Sequence, residues 1–155
     1  MKLKQNGLPV GIRYGWWGSS IFDTMSYDRV GEKVKSGLVT TVKGKVIVCQ
    51  NGLHAAKVPK VALANLNFGS TLYLVGIWGN IDSPSPEDWK FCGRHRLYIK
   101  GIKISGKFYD TLLREASRGM LEFLKQRGFP IYQTPSGLWE VNEDKVPWTI
   151  EEIAA

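Results

Sequence analysis

One stretch constrains the fold of this chain more than any other. Residues 70–81, STLYLVGIWGNI, are apolar at almost every position, where a strand with one wet face would alternate. A strand of that kind needs cover on both faces. It must run through the middle of a sheet, and the rest of the chain has to supply a layer on each side. With 155 residues the chain supplies one such domain, and a second of ordinary size has no room.

The flanking segments fit that demand. PVGIRYGWW and GLVTTVKGKVIVC read as short β pieces, with VKGKV as a hairpin turn. RLYIKGIKI alternates, with Leu97, Ile99 and Gly101 on one face and Tyr98, Lys100 and Ile102 on the other. The two prolines of DSPSPED cannot continue a ladder, so that segment is a loop. Residues 58–67 predict a short helix, with Pro59 in its first turn and Val58, Ala62 and Leu66 at helical spacing. From 108 to 127, Leu112, Leu113, Ala116, Met120, Phe123 and Leu124 form one apolar stripe, and Gly128 and Pro130 end the helix. FPIYQTPSGLWEVNE predicts a hairpin around Pro135, Ser136 and Gly137, and the tail adds a helical turn. The expected fold is α+β: a mixed, largely antiparallel sheet with one long amphipathic helix and one short helix. It forms a single compact domain over 1–155, with 108–155 as a helix–hairpin extension.

Charge is unevenly spread. The net charge is +7, and residues 1–60 alone carry ten Lys/Arg against three Asp/Glu. Lys90, Arg94, Arg96, Lys100, Lys103 and Lys107 follow with no acid among them, while 110–155 is net acidic. Such a basic face is aimed at an anionic partner, a nucleic acid or a nucleotide, or else aids solubility. No apolar run is long enough to cross a membrane and no secretory signal opens the chain, so a cytoplasmic protein with no membrane partner is expected. Cys49 and Cys92 lack metal-ligand spacing and read as small reduced hydrophobes; no metal site is expected.

Three clusters carry candidate chemistry. In CQNGLHAAKVPKVA, a strand ending at Asn-Gly and running into a helix would turn backbone N–H groups toward an anion near Gly52, with His54 and Lys57 adding donors. The alternative is a packed His54 and a solvated Lys57. In CGRHRLYIK, alternation sends Arg94 and Arg96 to one face, where two guanidinium forks grip a phosphate, and His95 to the other. The alternative is a charged strand edge that resists aggregation. In GIRYGWWGSS, Tyr14, Trp16 and Trp17 beside Arg13 offer surfaces on which a base stacks, or else form a buried tryptophan pair. The glycine spacing there matches neither a Walker loop nor a dinucleotide fingerprint. The late acids, Glu115, Glu122, Glu140, Glu143 and Asp144, read as helix or hairpin surface.

Between residues 45 and 100 the run GLHAA, then VALANL, TLYLVGIWG and a basic K…RHRLYI, resembles small phage-associated proteins of unknown function that carry a Gly-Leu-His-Ala/Ser signature. The matching positions are Gly52, Leu53, His54, Ala55, Ala62, Val75, Gly79, Lys90 and Arg96. The same run is similar in order to ADP-ribosyltransferase-like domains, with His54 where those domains carry a tyrosine. That likeness implies NAD as a cofactor-like ligand between RYGWW and GLHA, and Arg13, His54 and Arg96 as catalytic residues. The glutamate most such enzymes use has no counterpart in RLYIKGIKI. The expected function is a phage-type basic protein that binds a phosphate-bearing ligand, with Lys90 among the contacts, and counteracts a host system. The alternatives are an ADP-ribosyltransferase-like enzyme and an inhibitor that covers a host protein.

Overall fold

The computed structural model describes residues 8–19, 32–48, 50–63, 70–83, 90–104, 120–146 and 152–153. Six strands form one sheet: β1 (Arg13–Gly18), β2 (Val39–Thr41), β3 (Leu53–Ala56), β4 (Thr71–Trp78), β5 (Lys90–Gly93) and β6 (His95–Lys103). Their order is β2-β6-β4-β1-β3-β5, and every pairing is antiparallel. β4 lies inside the sheet as its sequence demands, with all eight residues buried.

The strand order hides a closure. β5 forms one edge against β3, yet it runs through the single residue Arg94 into β6, which lies beside β4. The sheet therefore curls until one chain segment joins both ends. Arg94 N–H donates to Gly79 O at 2.8 Å, and Asp82 and Cys92 exchange backbone bonds of 2.9 and 3.0 Å, stitching the end of β4 to β5. Gly15 of β1 permits the tight wrap: a Cβ there would lie 2.7 Å from Ala55 Cβ and 2.8 Å from Ala56 O.

Alternation along the curled strands makes two cores. Ala55, Tyr73, Val75, Ile77, Phe91 and Tyr98 meet on the concave side, with Trp17 against them. Trp16, Leu72, Leu74, Leu97 and Ile99 face the convex side. There the second helix and a small hairpin cover them through Leu124, Phe129 and Ile131. Each such fully buried aliphatic stabilises the layer contact by about 2 kcal/mol.

The helix expected at 58–67 is α1 (Pro59–Leu63); positions 64–69 lie outside the described residues. Within the range 108–127 expected to be helical, α2 spans Met120–Gln126, and Leu112, Leu113 and Ala116 lie outside the described residues. The C-terminal hairpin forms as expected, β7 (Ile131–Gln133) against β8 (Trp139–Val141), with Gly137 at φ +87° in its turn. A 3₁₀ turn, Glu143–Lys145, follows.

Three local expectations are corrected. GLHAA is not a strand-to-helix loop. Leu53–Ala56 is a strand between β1 and β5, so its backbone donors belong to the sheet. VKGKV is not a hairpin, because β2 pairs with β6 and the loop after it is held from outside. Arg94 donates to Val42 O and Gly44 O at 3.0 and 2.9 Å, and Asn51 Nδ2 to Lys43 O and Lys45 O at 2.7 and 3.0 Å. Finally, strict alternation in β6 fails. Leu74 pairs with Lys100 and Val75 with Tyr98, so a bulge at Ile99 slips the register. Ile102 consequently joins Leu97 and Ile99 at the convex core.

Candidate functional site

The basic residues singled out by sequence go to three different places. Arg96 is buried at 3 % exposure on the concave side. Its Nε and Nη2 donate to Tyr98 Oη at 3.1 and 2.8 Å, and its Nη1 to His54 O at 3.0 Å. The guanidinium lies 4.2 Å from the Trp17 ring centroid, and no carboxylate among the described residues bonds to it. Burial works against its charge, and the Tyr98 hydroxyl works in its favour. Since β6 and β3 are not neighbours in the strand order, Arg96 is a strut across the inside of the curl.

Arg94 braces the 42–44 loop, as above, so the expected phosphate grip of Arg94 with Arg96 is not formed. Arg94 is spent on carbonyls, and Arg96 is sealed inside. His95 stacks on Trp78 with ring centroids 5.1 Å apart, and its Nδ1 lies 2.9 Å from Thr41 Oγ1. Burial, then Arg94, holds its pKa below the ordinary histidine value.

His54 is half-buried. Ala55 points into the concave core, so alternation turns the imidazole to the opposite face. Its Nδ1 lies 3.1 Å from Gly52 O. Burial lowers its pKa, the Gly52 bond opposes that, and the charges of Lys90 and Arg96 lower it further. Across the β3–β5 ladder, His54 pairs with Cys92 and Ala56 with Lys90, which places His54 and Lys90 diagonally on one face. Arg13, His54 and Arg96 thus do not converge: one stands at the start of β1, one on the convex face of β3, one inside the curl.

The tryptophan pair divides as β alternation requires. Trp16 is 0 % exposed, packed against Phe129 and Trp139 at centroid distances of 5.7 and 5.3 Å. It offers no stacking surface, which corrects that expectation. Trp17 is half-buried, with a face taken by Arg96.

What does converge is a cleft of about 700 Å³ at the start of β1. Arg13, Tyr14, Lys57 and Phe91 line one side, and Trp139, Glu140, Glu143 and Asp144 the other. Arg13 lies over the Phe91 ring at 5.5 Å, and Lys90 immediately precedes that phenylalanine. Trp139 Nε1 donates to Lys57 O at 2.6 Å, tying the hairpin to the end of β3 and fixing the width of the opening. Tyr14 Oη donates to Glu143 Oε1 at 3.2 Å, and burial followed by that carboxylate drives the phenol pKa upward, so Tyr14 stays protonated. Tyr132 Oη donates to Glu140 Oε2 at 2.6 Å.

Sequence reasoning found Arg13, Tyr14 and Lys57 of this cleft. It missed Phe91 and Trp139 and assigned Glu140, Glu143 and Asp144 to surface. Only the docking of the hairpin beside β1, a contact between segments far apart in the chain, brings them together. Among the described residues no three of His, Cys, Asp and Glu are grouped to hold a metal ion, and no helix is long and apolar enough to cross a membrane. Compared with protein-family models, curated proteins and solved structures, the chain finds no match. The geometry alone therefore carries the functional reading.

Proposed function

We propose that this protein is a binding module for a phosphate-bearing ligand, a nucleotide or a nucleic acid, seated in the cleft at the start of β1. The observation that supports it is the pairing of Arg13 and Lys57 with the half-buried ring of Trp139 in one open cavity of about 700 Å³. Cations take the phosphate, and the Trp139 ring takes a base or another flat group. The size suits such an occupant, since small-molecule sites span about 300–1,000 Å³. In the phage-type setting implied by the sequence resemblance, binding would act by sequestering a host signal or blocking a host site.

The test is thermal denaturation with AMP, ADP, NAD, a cyclic dinucleotide and short single-stranded RNA, repeated on Arg13→Ala/Lys57→Ala. A ligand at a hundredfold its Kd stabilises by about 2.7 kcal/mol, which for a chain of this size raises the midpoint by about 5–10 °C. The shift should vanish in the double variant. Failure of every probe to move the wild-type midpoint overturns the proposal.

One observation favours a second reading, an ADP-ribosyltransferase-like transfer from NAD. The carboxylate missing from RLYIKGIKI has a spatial substitute in Glu143, which shares the cleft with Arg13 and is held by Tyr14. That reading predicts slow NAD cleavage, abolished in Glu143→Gln. An intact NAD pool after prolonged incubation removes it.

A further inference from the structure

The cleft is bipolar, and its polarity selects among phosphate-bearing ligands. Two cations, Arg13 and Lys57, stand on the sheet side, and three carboxylates, Glu140, Glu143 and Asp144, on the side of the hairpin and the 3₁₀ turn. Two of the carboxylates are held in direction. Glu140 accepts from Tyr132 at 2.6 Å and Glu143 from Tyr14 at 3.2 Å; burial and then Glu143 keep the Tyr14 hydroxyl protonated, and the bond to Glu140 keeps that of Tyr132 so. Acceptors fixed in this way lose little freedom on meeting a donor.

We infer that the cleft takes a free, nucleotide-sized phosphate ester whose far end carries N–H or O–H donors, and rejects a polyanionic strand. The inference rests on the proposed phosphate reading of Arg13 and Lys57 and adds the second half of the ligand. A phosphate at the Arg13–Lys57 side is attracted. A strand continuing across the cleft would bring further phosphates against Glu140, Glu143 and Asp144, where like charges repel. A nucleobase amino group or a sugar hydroxyl directed at the same carboxylates forms charge-assisted hydrogen bonds instead. Trp139, half-buried in the same lining, supplies the flat contact. Nucleic-acid binding by phosphate neutralisation depends steeply on salt; a single ester in a nearly charge-balanced cleft should depend on it weakly.

The experiment compares AMP, ribose 5-phosphate, inorganic phosphate and short single-stranded RNA by calorimetry at low and high salt. Proteins are wild type, Arg13→Ala/Lys57→Ala and Glu140→Gln/Asp144→Asn, each checked for an unchanged circular dichroism spectrum. The glutamine keeps an acceptor for Tyr132. AMP should bind wild type more tightly than inorganic phosphate does, and RNA should bind least. The Gln/Asn variant should lose about tenfold for AMP, the equivalent of one charge-assisted hydrogen bond, lose nothing for inorganic phosphate, and gain affinity for RNA. AMP binding that is unchanged or tighter in that variant, while still lost in Arg13→Ala/Lys57→Ala, overturns the bipolar inference and leaves the phosphate reading intact. RNA binding wild type more tightly than AMP, with steep salt dependence, does the same. Binding indifferent to Arg13 and Lys57, or no binding by any probe, overturns both.

Discussion

Replacing Arg96 separates two explanations of a buried cation that are otherwise hard to distinguish. In the structure its guanidinium is 3 % exposed, makes three hydrogen bonds to uncharged oxygens and lies 4.2 Å from the Trp17 ring centroid. If the side chain is a strut, what matters is its fork, and its charge is a cost. Arg96→Lys keeps the charge buried but loses the planar fork. A shorter side chain with a single donor atom reaches only one of the two acceptors, Tyr98 Oη or His54 O, and loses about two of the three bonds. At about 1.5–3 kcal/mol for a hydrogen bond from a charged group, the lysine variant should be about 4 kcal/mol less stable. Arg96→Met loses all three bonds and a cation–π contact of about 2 kcal/mol. It also relieves a desolvation penalty of several kcal/mol that no ion pair among the described residues offsets, so its net loss should be only about 1–2 kcal/mol.

The expected order is therefore wild type, then methionine, then lysine. In thermal melts the lysine variant should fall by about 12 °C and the methionine variant by about 5 °C, at roughly 2–4 °C per kcal/mol for a chain of this size. Urea titrations with a common m-value would show that the change lies in stability and not in the unfolded state. The opposite order, a stable lysine variant and an unfolded methionine variant, refutes the argument. It would mean that the charge itself is needed, and hence that an anion meets it inside the curl.

Three further expectations follow, two from tryptophan N–H groups and one from histidine burial. Trp16 Nε1 is buried with no hydrogen-bond partner among the described residues, so Trp16→Phe trades lost apolar volume for removal of an orphan donor and should stay within about 1 kcal/mol of wild type in urea unfolding. Trp139→Phe, which removes the 2.6 Å bond from Nε1 to Lys57 O, should cost more, about 1–2 kcal/mol. The two histidines predict the acid limb of stability. Both have folded pKa values below the ordinary histidine value of about 6.5, so below that pH the unfolded chain takes up protons first. Stability should be full above pH 6.5 and fall as pH drops through the folded values. A His54→Gln/His95→Gln variant should show a flatter fall between pH 6.5 and 5; an identical slope contradicts the assignment.

Period-2 and period-3.6 patterning located most described elements. STLYLVGIW was legible as an inner strand because a doubly buried strand carries its environment in its own composition. The C-terminal hairpin was legible from Pro135-Ser136-Gly137. What patterning could not reach were the features set by partners. GLHAA is short and flanked by Asn-Gly and Pro, so local signals read loop and helix, but pairing with β1 and β5 makes it a strand. The bulge at Ile99 has no local mark, yet it decides the face of Ile102. Half of the cleft was discounted for a similar reason: Glu140, Glu143 and Asp144 look like surface from within their own hairpin, and only Trp139 bonded to Lys57 O turns them toward Arg13.

The curl explains why neighbouring basic residues have such different fates. In a flat sheet Arg94 and Arg96 would share one exposed face. Here Arg94 is the single residue between β5 and β6, where the closing sheet needs a donor for the loop that follows β2. Arg96 comes two residues later, already on the concave wall, where its only reach is across the interior to Tyr98 and His54 O. Arg13 stands at the first position of β1, where the concave stack ends on Phe91 and the wall opens into the cleft. A cation on a curled strand is thus available to a ligand at the rim and becomes part of the core one or two positions further in. For this chain Arg13, at the start of β1, and Lys57, just past the end of β3, line the cleft at the rim, which is why the proposed anion site is built on them and not on the denser Arg-His-Arg run.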